Sequence, residues 1–250
     1  FMRKIFMSCK ILLPLLLAFA LISCGSPEEK RADFFERGQG YYEQGQLKEA
    51  ELELKNALKV DPEYAPAHLL MAKVKVQQRD FRPAFGHAGK AVELDPTLVE
   101  AQVLLGRILV MAGQLEQAEE RIGKVMELDP DNLEARLLEA AVAMRRDDLD
   151  RAVRLLEGVL ATEPGHEEAS LLLADVLRRQ GREQAAITAL AAGLAEHPES
   201  QVLLFRQAEL YTVTGEHDKA EEVLKQLVAM NPDNPEARLM LVSFYRQVGR

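Results

Sequence analysis

Small and apolar residues return along this chain on a beat of thirty-four positions. Counting units from Arg31, Ala65, Val99, Leu133, Glu167, Gln201 and Pro235, the twentieth position is alanine in every complete unit: Ala50, Ala84, Ala118, Ala152, Ala186 and Ala220. The twenty-fourth is apolar throughout, as Leu54, Ala88, Ile122, Leu156, Leu190 and Leu224. Four residues make about one helical turn, so both positions share one face of a helix, buried where two backbones approach too closely for a larger side chain. The eighth position is also small (Gly38, Ala72, Gly106, Ala140, Ala174, Ala208) until Val242, which predicts a second helix earlier in each unit.

Punctuation falls on the same beat. Gly45, Gly113, Gly181, Gly215 and Gly249 occupy the fifteenth position, where a residue without Cβ ends the first helix in a left-handed turn; units two and four carry Arg79-Asp80 and Asp147-Asp148 there. Pro62, Pro96, Pro130, Pro164, Pro198 and Pro232 close the second helix, and the runs Asp129 to Asn132 and Asn231 to Asn234 supply turn and N-cap chemistry for the next. Each unit therefore reads helix A, turn, helix B, turn. Six complete units are predicted (31–64, 65–98, 99–132, 133–166, 167–200, 201–234), with helix A of a seventh at 235–250.

These residues resemble the tetratricopeptide repeat family, whose pattern has a small residue at position eight, a large one at eleven, alanine at twenty and proline near thirty-two. The resemblance covers everything from Arg31 onward and implies an all-α fold, a right-handed α-solenoid of antiparallel helix pairs. Position eleven follows the pattern in Tyr41, Leu109, Leu177, Tyr211 and Tyr245 and departs from it in Lys75 and Ala143; position four carries the family's large residue only in Phe34.

The first thirty residues are of another kind. Arg3, Lys4 and Lys10 precede an apolar run from Ile11 to Ile22, too short to span a bilayer comfortably as a helix and charged at its start like a secretory signal. Residues 1–23 are predicted to be that signal. Leu21-Ile22-Ser23-Cys24 resembles the bacterial lipobox, in which the cysteine is diacylated and becomes the mature N-terminus; the competing reading is a small-residue cleavage site with an incidental cysteine. Residues 24–30 would then be a lipidated N-terminus and short tether. With Gly25 rather than aspartate after the cysteine, the resemblance implies the periplasmic face of the outer membrane. The chain also stops just after helix A of unit seven, which predicts a longer protein or a last helix that docks on a partner.

Net charge is −9, and −12 without Arg3, Lys4 and Lys10. No basic stripe with interleaved aromatics occurs, so nucleic acid is not an expected partner; the acidity either selects a basic partner or keeps a 48% apolar chain soluble. Cys9 lies in the signal and none follows Cys24, which removes thiol catalysis and cysteine zinc sites from the mature chain. His166-Glu167-Glu168-Ala169-Ser170 begins like a zinc-protease helix but lacks the second histidine, and reads as a solvated helix start. His68, His87, His197 and His217 sit at unrelated offsets and pair into no ligand set. Glu119-Glu120 and Glu221-Glu222 read as solvated acids on an outer helix B face. No catalytic residue, cofactor, metal or small-molecule substrate is expected, and the chain is read as no enzyme.

What remains is the surface of the A helices. The resemblance places positions two, five, nine and twelve on a concave groove. Position five is an apolar ribbon of Phe35, Leu69, Val103, Leu137, Leu171, Phe205 and Leu239. Position twelve adds Tyr42, Val76, Val110 and Met144 and then turns polar in Arg178, Thr212 and Arg246; position nine includes Lys73 and Arg107. The lysine and asparagine with which some family members clamp a peptide carboxylate are absent. Two readings stay open: the ribbon receives an apolar or amphipathic segment, with Lys73, Arg107, Arg178 and Arg179 anchoring its acidic groups, or position five packs between helices and lines nothing.

The function implied is a protein-binding scaffold tethered in the envelope through lipid on Cys24, with envelope proteins as partners. Glu51 to Leu58 followed by Asp61-Pro62 is similar to the first repeats of tetratricopeptide lipoproteins of exosortase and exopolysaccharide export systems; pilus-assembly and outer-membrane-assembly lipoproteins share the plan. The alternative is the substrate-recruiting front of a longer periplasmic enzyme.

Overall fold

The computed structural model describes residues 26–250, and the segment read as a signal and the lipidation expected at Cys24 lie outside them. The described residues form thirteen α-helices and no strand. The A helices are α1 (Pro27–Glu43), α3 (Ala65–Gln77), α5 (Val99–Met111), α7 (Leu133–Arg145), α9 (Glu167–Arg179), α11 (Gln201–Val213) and α13 (Pro235–Val248). The B helices are α2 (Leu47–Val60), α4 (Phe81–Leu94), α6 (Leu115–Leu128), α8 (Leu149–Thr162), α10 (Glu183–Glu196) and α12 (His217–Met230). The chain divides into two compact units, one ending at Ile108 and the other running from Leu109 to Arg250.

Each A helix ends in the same way, for a reason visible in its hydrogen bonds. The position-sixteen N–H reaches back five residues to a carbonyl (Gln46 to Tyr41, Asp80 to Lys75, Gln114 to Leu109, Asp148 to Ala143, Arg182 to Leu177, Glu216 to Tyr211), which satisfies a carbonyl the helix end leaves unpaired. That geometry needs a left-handed residue at position fifteen, and all seven are left-handed, from Gly45 at φ 72° to Gly249 at φ 70°. Arg79 (φ 59°) and Asp147 (φ 64°) adopt it too, so the turn overrides the cost of a Cβ where glycine is missing.

At the other end, side chains cap A helices. Asn132, Ser200 and Asn234 accept from the first-turn N–H groups of Ala135, Leu203 and Glu236. His166 accepts from the Ala169 N–H through Nδ1 at 3.4 Å, so the protease-like run is a helix start. Ser26 corrects the tether reading: its hydroxyl accepts from the Glu29 N–H while Glu29 accepts from the Ser26 N–H, a capping box with Pro27 in the first turn. Pro27 to Lys30 are therefore helical, because the Ser-x-x-Glu signal starts α1 ahead of the repeat register.

The alanines at position twenty are all 0% exposed, as a close helix–helix approach requires. Position three is equally small and buried in Ala67, Ala101, Ala135 and Ala169, a regularity the sequence reading missed. In the first unit Ala50, Leu54, Ala57, Ala67, Leu70, Met71 and Val74 form one cluster. In the second, one cluster runs from Leu137 through Val153, Leu156, Leu173 and Leu177 to Leu190, and another joins Leu204, Ala208, Val223 and Leu224 to Phe244. Gly193 marks the tightest spot, since a Cβ there would stand 2.8 Å from Ser170 Oγ, a hydroxyl that is itself buried without a partner.

The last helix is not left bare. Phe244 is buried and tilted against the His217 ring, and the Tyr245 hydroxyl donates to Glu221 Oε1 at 2.9 Å. Glu221 also takes Lys225 and Arg250, and these donors hold its carboxyl well below the usual range, at about 2. Glu221 is thus the clasp between α12 and α13 rather than a solvated acid.

Candidate functional site

Three A helices of the second unit, with one residue of α12, enclose a depression of about 710 Å³. Its lining follows the repeat register. Position five contributes Phe205 and Leu239, position nine Glu209 and Ser243, position twelve Arg178 and Thr212. Position thirteen, which the sequence reading did not include, adds Val213 and Gln247, and Met240, Leu210 and Phe244 deepen the apolar floor. Leu239 is 63% exposed and Val213 69%, so large apolar side chains stand open to solvent at the depression, as Val202 and Val242 do elsewhere on the same helices. The rim is mixed: Arg206 pairs with Glu209 at 2.8 Å, and Arg178 with Asp175 at 2.9 Å. Exposed pairs of this kind are worth about 0–1 kcal/mol, so an arriving carboxylate can exchange with them at little cost.

The other residues singled out on sequence do not join this site. Leu137 is 1% exposed, inside the second unit's main core cluster, and Leu171 and Met144 pack against that cluster partly buried. Leu69 is buried in the first unit, and Phe35 is half-buried edge-on to the Tyr64 ring at 5.3 Å. For Leu69 and Leu137 the packing alternative is what the structure contains: position five of these A helices is roofed by neighbouring residues, and the residue is core. Val103 is half-buried, and the Tyr42 hydroxyl accepts from Gln77 at 2.9 Å.

The cations named as ligand anchors already have partners. Lys73 pairs with Glu100, and Arg107 is likewise engaged. Arg179 donates to the Met144 carbonyl at 3.1 Å and to Asp147 at 2.8 Å, and Arg145 does the same one repeat earlier, reaching the Val110 and Met111 carbonyls at 3.2 Å. A guanidinium laid on the C-terminal carbonyls of the preceding A helix complements that helix's negative end and ties successive repeats together. Arg179 is a strut, and of these four cations Arg178 alone lines the depression.

Where family pattern asks for a large residue at position eleven, Lys75 stands instead, and the structure shows how it is accommodated. Its ammonium pairs with Glu51 at 2.7 Å, and Glu51 also holds Lys55 at 2.6 Å and accepts from Gln78. Those donors draw the Glu51 carboxyl down to about 2. Among the described residues there is no group of three or more metal-ligating side chains, and no helix is long and apolar enough to cross a membrane.

A family model described as the cytochrome c-type biogenesis protein H TPR domain matches residues 31–165, and a tetratricopeptide repeat model matches 143–208, 177–241 and 211–250. The chain belongs to the tetratricopeptide repeat family. Solved structures agree on the fold. Pseudomonas aeruginosa pilF superposes with a TM-score of 0.65 at 21% identity over 88% of this chain and 100% of that one. A tetratricopeptide repeat protein from Parabacteroides merdae gives 0.74 at 18% identity over 86% and 84%. PilW, described as a widely conserved type IV pilus biogenesis factor, gives 0.72 at 19% identity over 84% and 98%. No curated protein matches the sequence. The tetratricopeptide helix pair is a protein-binding scaffold, and the depression on α9, α11 and α13 is an apolar recess on its A helices.

Proposed function

We propose that this tetratricopeptide protein is a noncatalytic scaffold, lipid-anchored through Cys24 at the periplasmic face of the outer membrane, that recruits protein partners for envelope assembly or secretion, with exopolysaccharide export as the favoured pathway. One observation carries the binding half: the depression of about 710 Å³ in which Val213 and Leu239 stand exposed beside a partly buried Phe205. A cavity of that size, apolar within and charged at its rim, suits the buried side of a helix or extended segment carrying two or three large apolar side chains, with Arg178 taking an acidic group beside them. The anchoring half rests on the Leu21 to Cys24 motif and the charged, apolar segment before it.

A second reading is pilus biogenesis. The likeness to pilF and PilW extends over nearly the whole of those chains, and both PilW and the matched cytochrome c-type model carry the names of biogenesis factors.

A pull-down from detergent-solubilised envelope, with mass spectrometry of the bait's N-terminus and of its companions, tests both halves. The expected result is a diacylated Cys24 together with polysaccharide-export components; pilus proteins in their place select the second reading. An unlipidated bait with no envelope companion overturns the anchored scaffold.

A further inference from the structure

His68 on α3 and His87 on α4 were set apart by their offsets in the sequence, yet the fold brings them into contact. Their Nδ1 atoms are 2.9 Å apart and their rings lie 5.1 Å apart at 36°. His68 Nε2 is 3.0 Å from the Pro62 carbonyl oxygen. A carbonyl only accepts, so that contact fixes the His68 proton on Nε2 and leaves a lone pair on Nδ1; the short Nδ1 contact then requires His87 to donate from its own Nδ1. Two neutral imidazoles complete a chain from α4 through α3 to the turn at Pro62.

Protonation loads this chain in a defined order: the first proton leaves the Nδ1–H···Nδ1 bond in place but buries a charge, and the second breaks the bond. A first proton fits only on His87 Nε2, where it places a cation in a half-buried setting. A second, on His68 Nδ1, sets N–H against N–H and removes the acceptor. The charges around the pair oppose the step on His87. α2 offers Lys55 and Glu51, α3 offers Lys75, and the single Glu51 carboxylate is shared between the two ammoniums. On α5, Glu100 is taken by Lys73, and on α4 itself Lys90 is held by Glu93. Two ammoniums beside two ligands make a poor seat for a divalent metal, so the relevant ligand is the proton.

We infer that the His68–His87 pair is a proton-operated latch holding α3 to α4, closed while both rings are neutral and released in mild acid. Burial first, then His68, Lys75 and Lys55, hold the His87 imidazole below its ordinary value. With the folded value depressed, the latch contributes fully above the unfolded value of about 6.5 and its contribution is lost as pH falls through the folded one. Release would act on the repeat that presents Lys73 and Val76, and leave the helix pairs of the second unit closed.

Amide hydrogen exchange on the full chain at pH 7.5 and pH 5.0, corrected for the intrinsic rate, tests this. Opening of α3 and α4 should rise about tenfold for each unit by which His87 titrates below its free value, with α7 and α8 unchanged. His87→Gln keeps a donor toward His68 but does not titrate, and should remove most of that rise. Imidazole nitrogen NMR of the unaltered chain gives an independent readout, expected to show His68 protonated on Nε2 and His87 on Nδ1 at pH 7.5, and it decides the matter if the variant does not fold. Equal pH dependence in both proteins, or two rings titrating independently at ordinary values, overturns the latch. So does added zinc that raises the thermal midpoint of the unaltered chain and not of His87→Gln, which would make the pair a metal site.

Discussion

Leu137→Asp will collapse the second unit's main core, while Leu239→Asp, at the same repeat position, will leave the fold standing and abolish partner capture. Leu137 is 1% exposed, in one apolar cluster with Val153, Leu156 and Leu173. Deleting its packing costs about 2–5 kcal/mol, and a carboxyl placed there without a partner adds several more, even if it escapes charge by staying protonated. Leu239 is 63% exposed on the rim of the depression, where a surface substitution costs about 0.5 kcal/mol or less. Chemical unfolding followed by circular dichroism separates the two: a large loss of midpoint for the first, an unchanged helical transition for the second. Equal stability of both variants would show that position five of α7 is open after all.

The second large effect is expected at a fully buried alanine of the repeat pattern. Ala152 is 0% exposed on α8, and Leu156 follows it by one turn, also 0% exposed. Ala152→Leu inserts three carbons where the alanine rule leaves no room, at a cost of about 1–3 kcal/mol, and Leu156→Ala opens a cavity at a cost of about 2–5 kcal/mol. At roughly 2–4 °C per kcal/mol for a domain of this size, either variant should lower the thermal midpoint by several degrees or more. Because each repeat is supported chiefly by its neighbours, exchange should accelerate first in α7 to α10 and only later in α12 and α13. Uniform acceleration along the second unit would mean that its repeats melt as one.

Much of the fold was legible because repetition makes packing visible: a residue type that returns six times at Ala50, Ala84 and onward reports a shared constraint. The same averaging hides whatever belongs to one repeat. His68 and His87 meet through two different helices, and no offset they share announces it. The capping box of Ser26 and Glu29 is local and lies ahead of the register that begins at Arg31, so repetition does not report it. Position five shows a different limit. Helical periodicity gives the direction in which Leu137 and Leu239 leave their helices, yet only the neighbouring helices decide that one is roofed and the other open. For the arginines, sequence gave a charge; that Arg179 is spent on the Met144 carbonyl follows from the spacing of successive A helices, which no single repeat contains.

The most direct test is a photo-crosslinking amino acid placed at Leu239 or Val213 of the full chain in the cells that make it, with Leu52 on α2 as an equally exposed control. Crosslinks from the two depression sites to one and the same envelope protein, absent from the control and lost when Phe205 is replaced by Asp, are the expected result. Crosslinks equally frequent from Leu52, or none from either depression site, would contradict a partner seated on α9, α11 and α13.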